Sequence, residues 1–201
     1  MIEHMAAVGS VMASNCAGVP PIYSLGVRLD VTSAVEQIEA NPELWNQYTL
    51  RTERYGTPHN AVSDIWVRYN AFENLNGDPV SFTQMPHRSE WYPCVNDIPA
   101  VKRLAENVYK LVGGTELGGV LITRIPPGGE VKPHIDTGWH AEYYSKYAVQ
   151  LKGNKDQTFY FEDCELRPLT GDLYSFDNSK LHGVKNDSDE DRMTLIICIR
   201  R

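Results

Sequence analysis

The stretch Ile122–His140, ITRIPPGGEVKPHIDTGWH, opens a second half of the chain in which short β-branched and aromatic runs alternate with turn residues. VLITRI (120–125), KYAVQLKG (146–153), QTFYFED (157–163), DLYSFD (172–177) and MTLIICIR (193–200) each have the composition of a strand. Pro126–Gly129, Gly153-Asn154 and Gly171-Asp172 cut them into hairpin-sized pieces. This rhythm predicts a mainly β fold, closed as a sandwich or barrel. DIWVRYN (64–70) adds one earlier strand, whereas 49–62 and 74–93 read as irregular connections.

The same stretch carries chemistry. His134 and Asp136 lie two apart on what reads as a strand, so their side chains leave one face and reach a common point. His182 follows 46 positions after Asp136, enough chain for about four strands that cross a barrel and return. Two imidazoles and one carboxylate on one side of a metal leave open positions opposite, the donor set of non-haem Fe(II) oxygenases. Arg192 lies ten residues beyond His182, inside a run too apolar to bury a lone cation. Alternation puts Arg192, Thr194, Ile196 and Cys198 on one face of that strand and Met193, Leu195, Ile197 and Ile199 on the other. With the first face inward, its guanidinium can grip a carboxylate through two parallel hydrogen bonds. The alternative is a surface ion pair with Asp187, Asp189 or Asp191.

With 201 residues, 42% of them hydrophobic, the chain can bury one substantial core. A formal net charge of −7 argues against a broad phosphate-binding surface, and so against a nucleic-acid partner. No run approaches the ~20 apolar residues that span a bilayer. The four cysteines are scattered without a CxxC pair and read as reduced, cytosolic thiols rather than a disulfide framework. Residues 1–21 read as a loose tail. Ser33 and Glu36 have capping-box spacing for a short helix that stops near Pro42. Ile98, Val101, Leu104, Ala105, Val108, Leu111 and Val112 recur at helical spacing, with Pro99 suited to the first turn and Gly113-Gly114 to the stop. That helix is expected to lay its apolar stripe on the outside of a sheet. His140 reads as a solvated loop histidine, with lining of a substrate mouth or service as an alternative metal ligand as the other readings. Arg51, Arg54 and Arg68 read as solvated charge, with contact to an acidic substrate as the alternative, and Asp172, Asn178 and Asn186 as turn residues bonding nearby backbone.

PPGGEVKPHID, GDLYSFDNSKLHGVKN and Arg192 at the head of the last strand occur in an order that resembles the Fe(II)- and 2-oxoglutarate-dependent dioxygenases, and within them the aspartyl/asparaginyl β-hydroxylase-like branch. The resemblance covers roughly positions 118–201. It implies a double-stranded β-helix, the jelly-roll or cupin-like barrel, braced by a few helices from the N-terminal half. By it, 22–201 form one dioxygenase domain, with support and first strands in 22–117 and the metal-binding barrel core in 118–201. It further implies that His134, Asp136 and His182 bind Fe(II), and that Arg192 holds the distal carboxylate of the co-substrate 2-oxoglutarate. Dioxygen would then drive hydroxylation of an amino-acid side chain in a protein, peptide or free amino acid, with release of succinate and CO2. The branch places a histidine on the strand after the first ligand to hold the co-substrate's other carboxylate, and this chain has Lys146, Tyr147 and Ala148 there. Thr123, Arg124, Lys146, Tyr147 and Gln150 are the candidates for that second anchor, with Arg124 and Lys146 preferred. The rival reading is a non-redox metal-binding cupin, an isomerase or small-molecule binding protein.

Overall fold

Two antiparallel sheets face each other. The computed structural model describes residues 16, 19–75 and 77–201, so the expected tail lies almost wholly outside the described residues. The larger sheet contains β1 (Ile22–Arg28), β2 (Ser63–Asn70), β3 (Ser89–Trp91), β4 (Glu116–Ile125), β6 (Ser145–Lys152), β9 (Asp172–Phe176) and β11 (Arg192–Arg200). Its spatial order is β1-β9-β6-β11-β4-β2-β3. The smaller sheet contains β5 (Glu130–His134), β7 (Gln157–Phe161), β8 (Glu165–Leu166) and β10 (His182–Asn186), in the order β5-β10-β7-β8. The chain passes repeatedly from one sheet to the other, which makes the arrangement a jelly roll.

Alternation along β11 divides the interior in two. Met193, Leu195, Ile197 and Ile199 join Val120 and Ile122 of β4 in a core beneath the helices. The opposite faces enclose a second core between the sheets, formed by Ile125, Val131, Ala148, Phe159, Tyr174 and Phe176 among others. The helix α3 (Pro99–Leu111) starts with proline in its first turn and packs Val101, Leu104, Ala105 and Val108 into the outer core, as its spacing predicts. Leu111 departs from that stripe and stands 45% exposed.

Other details differ from expectation. The helix α1 (Thr32–Ala40) begins one residue before Ser33, so no capping box forms; the Thr32 N–H is taken by Asp30 Oδ1 at 3.0 Å instead. The 74–93 connection contains a short helix α2 (Pro79–Gln84), capped by the Asp78 side chain, and the edge strand β3. β1 was not legible as a strand: Gly26, at φ 70°, sits in an irregularity of its pairing with β9. Cys16 and Cys164 are disulfide-bonded across 148 residues, so the reading of four reduced thiols is wrong and no longer supports a cytosolic location. Spacing gave no hint of the pair, because only folding brings the N-terminal segment to the β7–β8 turn. Cys94 and Cys198 are free and buried. Among the described residues, no helix is long and apolar enough to cross a membrane.

Candidate metal centre and co-substrate pocket

His134 ends β5 and His182 begins β10, and the two are direct cross-strand partners with ring centroids 4.4 Å apart. Asp136 lies just past the end of β5, not on the strand, and is fixed there by its own N–H, which donates to the Asn178 carbonyl at 3.0 Å. One donor atom from each of the three side chains lies within 4.8 Å of the others. Nδ1 of His134 is 2.8 Å from the Lys132 carbonyl and Nδ1 of His182 is 2.8 Å from the Lys180 carbonyl. Each carbonyl calls for N–H at Nδ1, so the Nε2 lone pairs are left to ligate. Burial pulls the His182 imidazole below its ordinary pKa despite the Lys180 carbonyl, which keeps the ligating neutral form. Burial pushes the Asp136 carboxyl up, but the Lys146 ammonium, through its charge and its hydrogen bond, outweighs it and holds Asp136 well below the usual range.

A cavity of about 60 Å³ between the sheets is lined by these three groups together with Lys146, Arg192 and Thr194. Arg192 is 3% exposed. Nη1 donates to Thr194 Oγ1 at 2.7 Å and Nη2 to Tyr174 OH at 3.2 Å, while Nε has no partner. Both hydroxyls in turn reach Gln150 Oε1, at 3.3 Å each. Among the described residues no carboxylate pairs with Arg192; Asp191, one of the surface partners considered, lies 4.0 Å from Arg124 instead. An unpaired buried guanidinium costs several kcal/mol, on the order of the desolvation penalty for one ion, unless an anion joins it. Two nitrogen donors, one carboxylate oxygen and this nearby unpaired cation fit a divalent metal with an anionic organic co-ligand.

The family model for aspartyl/asparaginyl beta-hydroxylase matches residues 27–201. The chain belongs to that family. It is a family of 2-oxoglutarate-dependent hydroxylases. No curated protein matches the sequence. Among solved structures, a prolyl hydroxylase from Trichoplax adhaerens, in complex with a hypoxia inducible factor oxygen degradation domain peptide fragment, is 15% identical. It aligns over 85% of this chain and 77% of its own with a TM-score of 0.54, a likeness of fold. An oxidoreductase of the 2OG-Fe(II) oxygenase family from Burkholderia pseudomallei has 12% identity and a TM-score of 0.49 over 68% of this chain, which spans 65% of that protein.

In this member of the family, the two candidates for a second anchor part company. Lys146 enters the cavity from β6, and its Nζ donates to Asp136 Oδ2. Arg124 does not enter it. β4 pairs with β11 so that Thr123 sits opposite Thr194 and Arg124 opposite Met193, which puts Arg124 on the outer face. There its guanidinium lies 4.5 Å from the Trp45 ring centroid and near Asp191, so Arg124 is withdrawn as an anchor.

Two groups assigned to solvent turn inward. Arg51, from the irregular 49–62 segment, clamps the buried Asp64 (Nε–Oδ2 2.8 Å, Nη2–Oδ1 2.7 Å) and donates to Thr123 Oγ1 at 2.7 Å. His59, beside it, is buried and presents its ring edge-on to His134 at 4.7 Å. Burial and the Arg51 charge push its pKa far down. The signal in the sequence was Asp64, an acid directly before the apolar run Ile65–Val67. His140 is buried on the short helix α4 (Trp139–Tyr143), not solvated: its Nε2 accepts the Gly119 N–H at 3.1 Å, and burial lowers its pKa to about 3. Arg54 is exposed as expected, whereas Arg68 is half-buried, its guanidinium 5.1 Å from the Trp91 ring centroid and donating to the Leu117 carbonyl at 3.2 Å. Asp172 bonds nearby backbone as expected, whereas Asn178 reaches the distant Ala141 carbonyl. Asn186 takes the Ser188 N–H and also binds the carbonyls of Ile125 and Pro126.

Proposed function

We propose that this protein is an Fe(II)- and 2-oxoglutarate-dependent dioxygenase that hydroxylates an amino-acid side chain in a protein, peptide or free amino acid. The observation that carries this reading is Arg192, a buried guanidinium with no carboxylate partner among the described residues, beside three convergent metal-type donors. His134, Asp136 and His182 would hold the iron. Arg192, with Thr194 and Tyr174 already oriented around it, would take the distal carboxylate of 2-oxoglutarate, and Lys146 the carboxylate nearer the metal. Two neutral imidazoles and one carboxylate leave a ferrous site formally near +1, which suits a dianionic partner. Iron supplies the redox chemistry by which substrate C–H, O2 and 2-oxoglutarate become C–OH, succinate and CO2. The protein's own part is placement, charge complementarity and exclusion of water: Phe159 and Phe176 pack against the His182 ring and shut the inner side.

Anaerobic titration of the Fe(II)-loaded protein with 2-oxoglutarate, followed by the visible charge-transfer band and by calorimetry, tests this. Arg192→Met is expected to weaken 2-oxoglutarate by about 10–100-fold, the value of a lost charge-assisted pair. Equal affinity in wild type and variant would remove the role of Arg192, and no band in the wild type would remove the assignment.

A further inference from the structure

A second, larger cavity of about 370 Å³ adjoins the metal centre and shares with the inner one Arg51, His59, His134, Asp136, Lys146 and Ile196. A volume of this order holds a small organic molecule. Much of its wall is apolar: Leu50, Trp66, Leu121, Ile135 and Ile196 line it. Its polar groups are lopsided. Arg51, Arg54, Arg68 and Lys146 supply positive charge, whereas Asp136 is its only carboxylate among the described residues. Asp136 is already committed to the metal side and to Lys146.

Two donor groups in this wall, one buried and one partly exposed, are left short of acceptors among the described residues. Trp66 is 8% exposed, and its indole N–H has no partner. Arg51 has five N–H groups. Three go to Asp64 and Thr123. The two on Nη1 meet only His59, 3.1 Å from Nδ1 and 3.3 Å from Nε2. A neutral imidazole offers one acceptor nitrogen, so at least one Nη1 proton is unclaimed beside the cavity. The two hydrogen bonds to Asp64 and the one to Thr123 hold that guanidinium rigidly, so accepting a ligand there immobilises little further.

Resting on the hydroxylase reading, we propose that the outer cavity takes a substrate with an apolar body, a free carboxylate and no free ammonium, its carboxylate received by the pre-oriented Arg51 with Arg54 at the rim. A carboxylate satisfies the spare donors, and an apolar body matches the wall. An ammonium would meet arginines and lysine with no anionic partner left for it. Acylated amino acids and the C-terminal residue of a peptide share this chemistry, whereas an internal residue of a protein chain lacks the carboxylate. Arg51 is thus a specificity-determining residue contributed from outside the barrel strands.

The test compares N-acetyl-leucine, leucine and N-acetyl-leucinamide on the ¹⁵N-labelled full chain, following the Trp66 indole N–H resonance, assigned with Trp66→Phe. The experiment is run without metal and repeated with Mn(II) and 2-oxoglutarate. N-acetyl-leucine is expected to shift that resonance saturably, at least about tenfold more tightly than either the amide or the zwitterion, one charge-assisted bond being worth that factor. Arg54→Gln should weaken it by about threefold, the scale of an exposed charge. Because Arg51 also neutralises Asp64, it is probed by the paired change Arg51→Gln with Asp64→Asn, which should erase the preference for acid over amide. Equal binding of acid and amide, tighter binding of leucine, or no shift with any of the three overturns the proposal. Failure to bind Mn(II) and 2-oxoglutarate in the second arm, with the acid still preferred in the first, would instead sink the hydroxylase reading and leave the carboxylate site standing.

Discussion

Lys146 shows how one side chain can serve two states of a site. Its ammonium lies against Asp136, and both side chains are more than four-fifths buried. A divalent cation and Lys146 therefore compete for the same carboxylate. Lys146→Met should leave Asp136 short of its cation and lower the stability of chelator-treated protein by about 1–3 kcal/mol, a figure reduced from the fully buried case because some solvent reaches the pair. Mn(II) should restore most of that loss. Thermal melts with EDTA and with Mn(II) read the difference directly, and identical EDTA melts for variant and wild type would contradict it. Residue type marked Arg192 as an odd occupant of an apolar strand and Arg124 as a candidate anchor. It did not tell which way Arg124 turned, because its face depends on the register of β4 against β11, a property of the pair and not of either segment.

Elements with strong internal periodicity were legible, and those defined by their neighbours were not. α3 carries a helical stripe and explicit stop signals, and β11 alternates so cleanly that its two faces line two different interiors. α1 starts two residues earlier than a Ser33 cap would place it, and the Asp30 side chain takes its first free N–H. α4 lies in a five-residue stretch too short for any period, yet it buries His140 and adjoins Asp136. Its entry is Gly138, at φ 93°, where an added Cβ would fall 1.7 Å from Gln84 Oε1 of α2. Gly138→Ala thus combines left-handed backbone strain with a collision, and the Gln84 side chain can relieve only the second. The expected loss is about 1–3 kcal/mol, or a fall in Tm of roughly 2–10 °C for a chain of this size. A drop in Mn(II) affinity measured by calorimetry should accompany it, since Asp136 is two residues away. A variant that melts and binds metal like the wild type would show that α2 yields freely.

At the scale of the whole molecule, the resemblance of positions 118–201 conveyed the barrel and its donors but left out what the N-terminal half brings to the pocket. Arg51 and His59 come from a segment with no periodicity, and nothing local reveals that Asp64 and Thr123 receive it. One consequence is a molecule with neutral histidines locked inside it. His140 is lowered to about 3 by burial, with neighbouring positive charge adding to the effect, and His59 is pushed further down by burial and Arg51. In the unfolded chain each would titrate near 6.5. Between the folded and unfolded values the unfolded state binds more protons, so stability rises with pH there and is lost as pH falls below about 6.5. Two such groups together should make the metal-free protein roughly 2–3 kcal/mol less stable at pH 5.5 than at 7.5, at about 1.4 kcal/mol per group per pH unit. Urea unfolding at the two pH values measures this. His140→Gln, which keeps an acceptor for the Gly119 N–H but cannot take a proton, should remove about 1.4 kcal/mol of that difference whatever it does to stability itself. Coincident urea midpoints at both pH values would mean that the interior admits the protons it is built to exclude.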